Sequence, residues 1–174
     1  MKKITLILAL FIGMIGFQSC VREAVVTQPA TDQDTISEVW EYGANGEVDF
    51  YQGNYSVFLN FHHTIYSSDM VLVYRLSGSG SEGDVWKLLP ETYYFDDGTL
   101  DFGYNNDFTQ YDVKVNLYGY DLPGLSNAYK LNQIFRVVVV PGYFGNKSAN
   151  NVDINDYNAV VKAFKIDESK TIKM

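Results

Sequence analysis

Apolar and polar residues alternate with a period of two in a series of short runs after residue 36. Each run is rich in β-branched or aromatic residues and is bounded by Gly, Asn, Asp or Pro, which is the pattern of strands separated by turns. The runs cover residues 47–50, 55–61, 70–76, 85–89, 92–95, 100–104, 111–118 and 133–140. This pattern predicts an all-β-dominated domain, either an antiparallel β-sandwich or a partly open barrel.

Three of these segments allow a more detailed prediction. One face of residues 111–118 collects the apolar side chains of Tyr111, Val113, Val115 and Leu117, which indicates a strand buried on one side. Residues 134–140 are apolar on both faces except at Arg136, which predicts a central strand that ends at Pro141. The Asp97-Gly98 pair predicts a tight hairpin between residues 92–95 and 100–104.

A single helix is predicted near the C-terminal end of the chain. Its apolar residues repeat at helical spacing and form a stripe that should pack on a sheet: Ile154, Tyr157, Val160, Val161 and Phe164. Asp153 is the predicted N-cap, and Asp156, three residues later, would complete the cap and oppose the helix dipole. The charged residues 167–174 predict a frayed tail.

The first residues have the pattern of a bacterial secretion signal. Lys2 and Lys3 precede an uncharged apolar run that is too short to span a bilayer stably. Phe17 does not suit an ordinary signal-peptidase site, which requires a small residue three positions before the cut. The stretch that ends at Ser19-Cys20 instead resembles a lipobox, with Phe17 in place of the usual Leu. We therefore predict a lipoprotein signal peptide over residues 1–19 and lipidation of Cys20, the only cysteine.

The remaining chain divides into a tether, one domain and the tail. Residues 20–35 have no strong period and predict a flexible tether, residues 36–166 a single β-rich domain, and residues 167–174 the frayed tail. The net charge of −8, about −10 once Lys2 and Lys3 are removed, argues against binding to nucleic acid or to anionic lipid by charge. Attachment to the membrane would then depend on the lipid on Cys20.

The aromatic residues are the candidate binding residues. Phe, Trp and Tyr make up 16% of the chain, and side chains with a large contact area and a polar tip suit sugar rings or a protein partner. The predicted binding residues are Trp86, Tyr93, Tyr94, Tyr104 and Tyr118. The alternative is that these residues form core and cross-strand pairs, as most aromatics do in β-rich domains.

Three motifs suggest cofactors or metals but have simpler interpretations. Residues 78–83 spell G-x-G-x-x-G, yet no helical segment follows, so we predict a mobile loop between two strands. His62 and His63 are adjacent, and neighbouring strand residues point to opposite faces, so they do not readily bind one metal. The acidic pairs at residues 96–97 and 153–156 depart from the calcium-loop pattern and suit turns and caps; calcium binding there stays open. No cofactor and no metal site are predicted.

No catalytic residues emerge either. The chain lacks the G-x-S-x-G nucleophile elbow, and a pair of glycosidase carboxylates is defined by three-dimensional spacing, which sequence does not provide. We therefore predict that the protein is not an enzyme, with a small hydrolase as the least favoured alternative.

Residues 68–164 resemble an uncharacterised family of small lipoproteins from Bacteroidota, particularly flavobacteria. The resemblance lies in the segments MVLVYRL, DVWKLLPETYYFDDGTLDFGYNNDFTQYDVKVNLYG, LNQIFRVVVVPGYF and VDINDYNAVVKAF. Some members carry a collagen-like segment after the lipidated cysteine, which residues 21–35 lack. The resemblance implies a lipoprotein with a single domain and brings no known activity.

Together these features predict a cell-envelope lipoprotein whose domain is a binding or interaction module for a glycan or an envelope protein. The alternative is a structural component of an outer-membrane assembly. Val21 is not the Asp that, by analogy with enterobacteria, retains a lipoprotein in the inner membrane, which favours the outer membrane. The sequence leaves open whether the protein faces the periplasm or the cell surface.

Overall fold

The computed structural model describes residues 36–44, 48–51, 53–81, 83–143 and 152–174. The predicted signal peptide, the lipidation site at Cys20 and the tether lie outside these residues. The described strands are β1 (Glu38–Tyr42), β2 (Ser56–Asn60), β3 (Met70–Gly80), β4 (Gly83–Leu88), β5 (Glu91–Tyr94), β6 (Leu100–Phe108), β7 (Asp112–Gly119), β8 (Phe135–Val140) and β9 (Ile172–Lys173). Helix α1 spans Tyr157–Ala163, and short 3-10 helices span Asn127–Tyr129 and Glu168–Lys170.

The strands form two sheets that pack face to face. The first sheet has the order β4-β3-β8-β1-β9, and the second has the order β2-β7-β6-β5. Neighbouring strands are antiparallel, apart from β1 and β9, which pair in parallel. The prediction of an antiparallel β-sandwich with one C-terminal helix is therefore confirmed.

Alternation along the strands produces two apolar layers. Val113, Val115 and Leu117 of β7 are buried between the sheets, as their spacing predicts. Tyr111, predicted on the same face, lies before the strand and is exposed. β8 lies in the middle of the first sheet and is covered on both faces, which confirms the prediction of a central strand. Its Val137 faces the second sheet, whereas its Val138 belongs to the layer beneath α1.

Helix α1 covers the outer face of the first sheet and begins later than predicted. Asp156, not Asp153, is the N-cap, and its side chain accepts a hydrogen bond from the Ala159 N–H at 3.1 Å. The Asp153 carboxylate instead accepts the N–H of Asn155 at 3.0 Å and forms a separate turn. Both Asp residues satisfy backbone donors, and Tyr157, the first residue of the helix, meets the Tyr74 ring edge-on.

Residues 167–174 do not form the predicted frayed tail. The Asp167 carboxylate caps the second 3-10 helix by accepting the Ser169 N–H at 3.2 Å. Ile172 then packs at the edge of the core, and β9 pairs with β1. The charged composition obscured this strand because only Ile172 faces the core, and the partner strand lies more than a hundred residues away in sequence.

Two further predictions about strands were inaccurate. β1 was missed, although Trp40 and Tyr42 are buried in the core, because this short run carries two Glu residues and its burial does not alternate. Conversely, Val48 and Phe50 are buried but lie outside any strand; their backbones bond to Gln133 and Lys130 in a loop. The apolar character of Val48 and Phe50 therefore indicates that they are buried, but it does not indicate that they form a strand.

The two predicted turns connect antiparallel strands. The β5–β6 hairpin turns at Gly98, where φ is 82° and the N–H donates to the Phe95 carbonyl at 2.9 Å. The Gly/Ser segment joins β3 to β4 with no helix, as predicted, but part of it is strand, since β3 continues to Gly80. None of the described helices is long and apolar enough to cross a membrane.

Candidate binding site

The five predicted aromatic residues do not form one platform. Tyr104 has no exposed surface, lies in the core between the sheets, and donates its hydroxyl to the Tyr129 carbonyl. It therefore cannot meet a ligand. Trp86 lies on the opposite side of the first sheet, where its ring packs against Tyr157. The Arg136 guanidinium lies over the Trp86 ring, 4.3 Å from its centroid.

Tyr118 and Tyr94 lie on the second sheet. Gly103 is paired with Tyr118, and a Cβ at position 103 would stand 2.6 Å from the tyrosine oxygen. The ring of Tyr118 thus crosses the glycine and brings its hydroxyl to 3.0 Å from the Thr92 hydroxyl. Tyr94 is exposed near the β5–β6 turn.

Exposed apolar residues surround Tyr94 at this end of the second sheet. Phe95 meets the ring of Tyr120 edge-on, with centroids 6.4 Å apart, and Leu100 pairs with Tyr94. We call this set, Tyr94, Phe95, Leu100 and Tyr120, the Tyr120 patch; all four are exposed.

Tyr93 lines a cleft at the edge of the sandwich, and Trp86 lines a smaller one, of about 280 Å³, beside α1. The larger cleft has a volume of about 560 Å³ and lies between the β3–β4 hairpin, β5 and residues 128–134. This volume is within the usual range of small-molecule sites, roughly 300–1,000 Å³. The lining that matters chemically is Arg75, Lys87, Tyr93, Tyr129, Asn132 and Gln133, and we call it the Arg75 cleft.

A buried network of hydrogen bonds forms the floor of the Arg75 cleft. The Arg75 guanidinium donates from Nε to Glu91 Oε2 at 2.8 Å and from Nη2 to Glu91 Oε1 at 3.1 Å. It also donates to the Tyr93 hydroxyl at 3.0 Å and to Gln133 Oε1 at 3.2 Å. The side chains of Arg75 and Glu91 are only 5% and 8% exposed. A bidentate pair with this many partners holds the floor in one geometry.

Glu91 is held in its ionised form by this network. Burial alone would raise its pKa, but hydrogen bonds from Arg75 and Tyr93, together with the Arg75 charge, outweigh burial and lower the pKa below its ordinary value. Burial likewise raises the pKa of the Tyr93 hydroxyl, which donates to Glu91. The Glu91 carboxylate therefore already accepts hydrogen bonds from protein groups.

Lys87 stands at the mouth of the cleft with its side chain 48% exposed. Its ammonium lies 3.2 Å from Glu91 Oε1 and 5.3 Å from the centre of the Tyr93 ring. These two contacts orient the charge, while about half of the side chain faces solvent. Tyr129 packs beside Tyr93, with centroids 5.7 Å apart, and adds aromatic surface to the wall.

Arg75, Lys87 and Gln133 are not among the binding residues predicted from the sequence. A signal for Arg75 was present, because a single charge inside the apolar run MVLVYRL predicts a buried partner. Its partner Glu91 is on the other sheet, so the pair follows from the packing of the sheets.

The two histidines lie on a different part of the surface. His63 Nε2 is 3.0 Å from Glu38 Oε2, and the ring meets Trp40 edge-on. The rings of His62 and His63 are 6.3 Å apart. Within the described ranges, no three or more His, Cys, Asp or Glu side chains come together in a way that could hold a metal ion.

Comparisons with known proteins identify no family. No family model matches the chain, and neither the curated proteins nor the solved structures contain a match. The resemblance to a lipoprotein family therefore stays a prediction from the sequence.

Proposed function

We propose that the domain is a non-catalytic glycan-binding module, held at the cell envelope, at the outer membrane, by a lipid on Cys20. The observation that carries the proposal is the Arg75 cleft, in which two tyrosine rings, a lysine and amide side chains line one space of about 560 Å³. Sugar rings are bound by this combination, since aromatic faces pack on their C–H groups and polar side chains pair with their hydroxyls.

The chemistry of the cleft favours binding over catalysis. General acid–base catalysis requires a group that exchanges a proton near the working pH. Glu91 is buried, bound by Arg75 on both oxygens and kept ionised. The described lining residues include no histidine and no carboxylate. These features support a site that recognises a ligand without transforming it.

Blocking the cleft tests the proposal. Ala128 is exposed and lines the cleft, so Ala128→Trp should fill it without disturbing the core. Titration of the wild-type domain with a panel of oligosaccharides, followed by NMR shifts, should perturb residues 128–134 and Tyr93. Ala128→Trp should abolish this response, whereas Asn158→Trp, on α1, should preserve it. A panel in which no oligosaccharide perturbs the cleft would overturn the proposal.

The lipid anchor has its own test. The apolar run before Ser19-Cys20 supports lipidation, and a Cys20→Ala chain expressed in a bacterial envelope should lose acyl labelling and leave the membrane fraction. Cys20→Ala chains that remain in the membrane fraction would contradict the anchor and leave the glycan proposal intact.

The Tyr120 patch favours a second candidate function, a structural role in an outer-membrane assembly. Tyr120 is 83% exposed beside other exposed apolar side chains, and such a patch suits a protein interface. A photo-crosslinker at position 120 should then capture one defined protein in intact cells. Position 111, an exposed tyrosine at the opposite end of β7, is the control. Equal crosslinking at both positions would count against this role.

A further inference from the structure

The charge in the Arg75 cleft is opposite to that of the whole chain. The protein carries a net charge of −8, yet two cations, Arg75 and Lys87, line the cleft, and no Asp or Glu appears among its described lining residues. Glu91 lies behind this lining, 8% exposed, and its single charge balances only one of the two cations. The lining side chains are therefore net positive, and the Asp49 carboxylate, which accepts the Asn132 N–H at 2.7 Å, reduces this charge.

The two cations have different roles. Arg75 is buried, and every nitrogen of its guanidinium donates within the protein, to Glu91, Tyr93, Gln133 and the Leu76 carbonyl. Lys87 is half exposed, and its contacts with Glu91 and Tyr93 use two of the three ammonium donors. Lys87 is thus the group that can meet a negative charge arriving from solvent.

The position of Lys87 suits an anion carried on a ring. Its ammonium lies 5.3 Å from the centre of the Tyr93 ring. Phe102 stacks on that ring with centroids 4.4 Å apart, and Tyr129 lies beside it, tilted, with centroids 5.7 Å apart. Asn132 is exposed on the wall formed by residues 128–134. A ring that packs against the tyrosines would place a charged substituent near Lys87 and hydroxyls near Asn132.

We infer that the Arg75 cleft selects anionic saccharides, with Lys87 as the residue that recognises the negative group. The inference rests on the proposed glycan-binding function and adds the class of sugar. A carboxylate of a uronic acid and a sulfate ester share the required chemistry, an anionic oxygen group on a sugar ring. A Lys87 contact with such a group would be a partly exposed charge-assisted hydrogen bond.

Isothermal titration of the intact domain with three sets of oligosaccharides of equal length tests this inference. The sets are oligogalacturonate, a neutral galactose oligomer and a sulfated galactose oligomer. We expect at least one anionic set to bind about tenfold more tightly than the neutral set, and its affinity to fall as salt is raised. Tighter binding of oligogalacturonate or of the sulfated oligomer identifies which anionic group is preferred.

Two variants each remove one lysine charge, one inside the cleft and one away from it. Lys87→Gln should remove the preference for the anionic set, a loss of about tenfold in the ratio of anionic to neutral affinity. Lys114→Gln, on β7 of the second sheet beside Phe58, should leave the preference intact. Thermal unfolding of both variants checks that the domain remains folded.

The possible negative results distinguish the charge preference from glycan binding itself. Equal binding of neutral and anionic sets at the cleft, or an anionic preference that survives in Lys87→Gln, would overturn the charge inference and leave glycan binding standing. No cleft response to any set would overturn glycan binding, and the charge inference with it.

Discussion

The Arg75 guanidinium clasps the Glu91 carboxylate through two hydrogen bonds, of 2.8 and 3.1 Å, and joins β3 of the first sheet to β5 of the second. Both side chains are almost completely buried. The pair therefore connects the two layers of the sandwich at the floor of the candidate binding site, and its energetics affect stability and binding together.

Breaking this pair on one side should destabilise the domain strongly. Arg75→Met leaves the Glu91 charge buried without its main partner, and we expect a loss of about 3–5 kcal/mol in the free energy of unfolding. Arg75→Met combined with Glu91→Leu removes both charges and should cost less than Arg75→Met alone. Urea denaturation of the single and double variants measures this difference; a double variant less stable than either single one would contradict the argument.

The Glu91 pair also predicts how stability depends on pH. Because the pKa of Glu91 is lower in the folded protein than its ordinary value of 4.5, the unfolded chain binds more protons in this range. The stabilising contribution is present above that ordinary value and is lost as the pH falls through the lowered pKa of the folded state. The difference in unfolding free energy between wild type and Glu91→Gln should therefore shrink as the pH is lowered.

Other carboxylates titrate in the same range, so the comparison with Glu91→Gln is what isolates this group. Urea denaturation of both proteins at a series of pH values provides the measurement. A difference that stays constant, or grows on acidification, would show that Glu91 is not stabilised in its ionised form.

Gly103 should not tolerate a side chain. A Cβ there would lie 2.7 Å from the Glu91 carbonyl oxygen, which belongs to the paired strand, and 2.6 Å from the Tyr118 hydroxyl. Gly103→Ala should lower the free energy of unfolding by about 1–3 kcal/mol, because the β5–β6 pairing must shift. Gly78→Ala, on β3, is the matched control, since its Cβ would meet no atom within 4 Å. Equal losses in the two variants would exclude the steric explanation.

The start of α1 makes a further prediction. Asp156→Ala removes the oxygen that accepts the Ala159 N–H and should cost about 1 kcal/mol in unfolding free energy. Asn158→Ala, one residue inside the helix on an exposed position, should change stability much less. Thermal unfolding of the two variants distinguishes them, and a cap at Asp153 would instead leave Asp156→Ala nearly neutral.

Local sequence patterns were sufficient for most strands and for the apolar stripe of α1. Val113, Val115 and Leu117 alternate with polar residues, and side chains on a strand must point to opposite faces, so one face had to be buried. The same reasoning identified β8 as a central strand. It failed for Phe50, which is buried in a loop, and for β9, where Ile172 is the only core-facing residue.

The candidate binding site depended far more on tertiary structure. Tyr93 and Tyr104 looked equivalent in the sequence, yet one lines the cleft and the other is enclosed between the sheets. Sequence spacing could not distinguish Tyr93 from Tyr104, because the exposure of each tyrosine depends on which residues pack against its strand. Arg75 showed an unusual charge, but its partner became evident only once the two sheets were brought together.

The sequence by itself determined most of the segments that form strands, where the hairpin turns, and that Cys20 is the candidate for a lipid anchor, because these features rest on residues close together in the chain. The tertiary structure decided the pairing of β1 with β9, the Arg75–Glu91 contact and the position of Lys87 at an open cleft. These features join residues from different strands, sheets or loops. Alternation of apolar and polar residues indicates that one face of a strand is buried, but it does not indicate which residues cover that face.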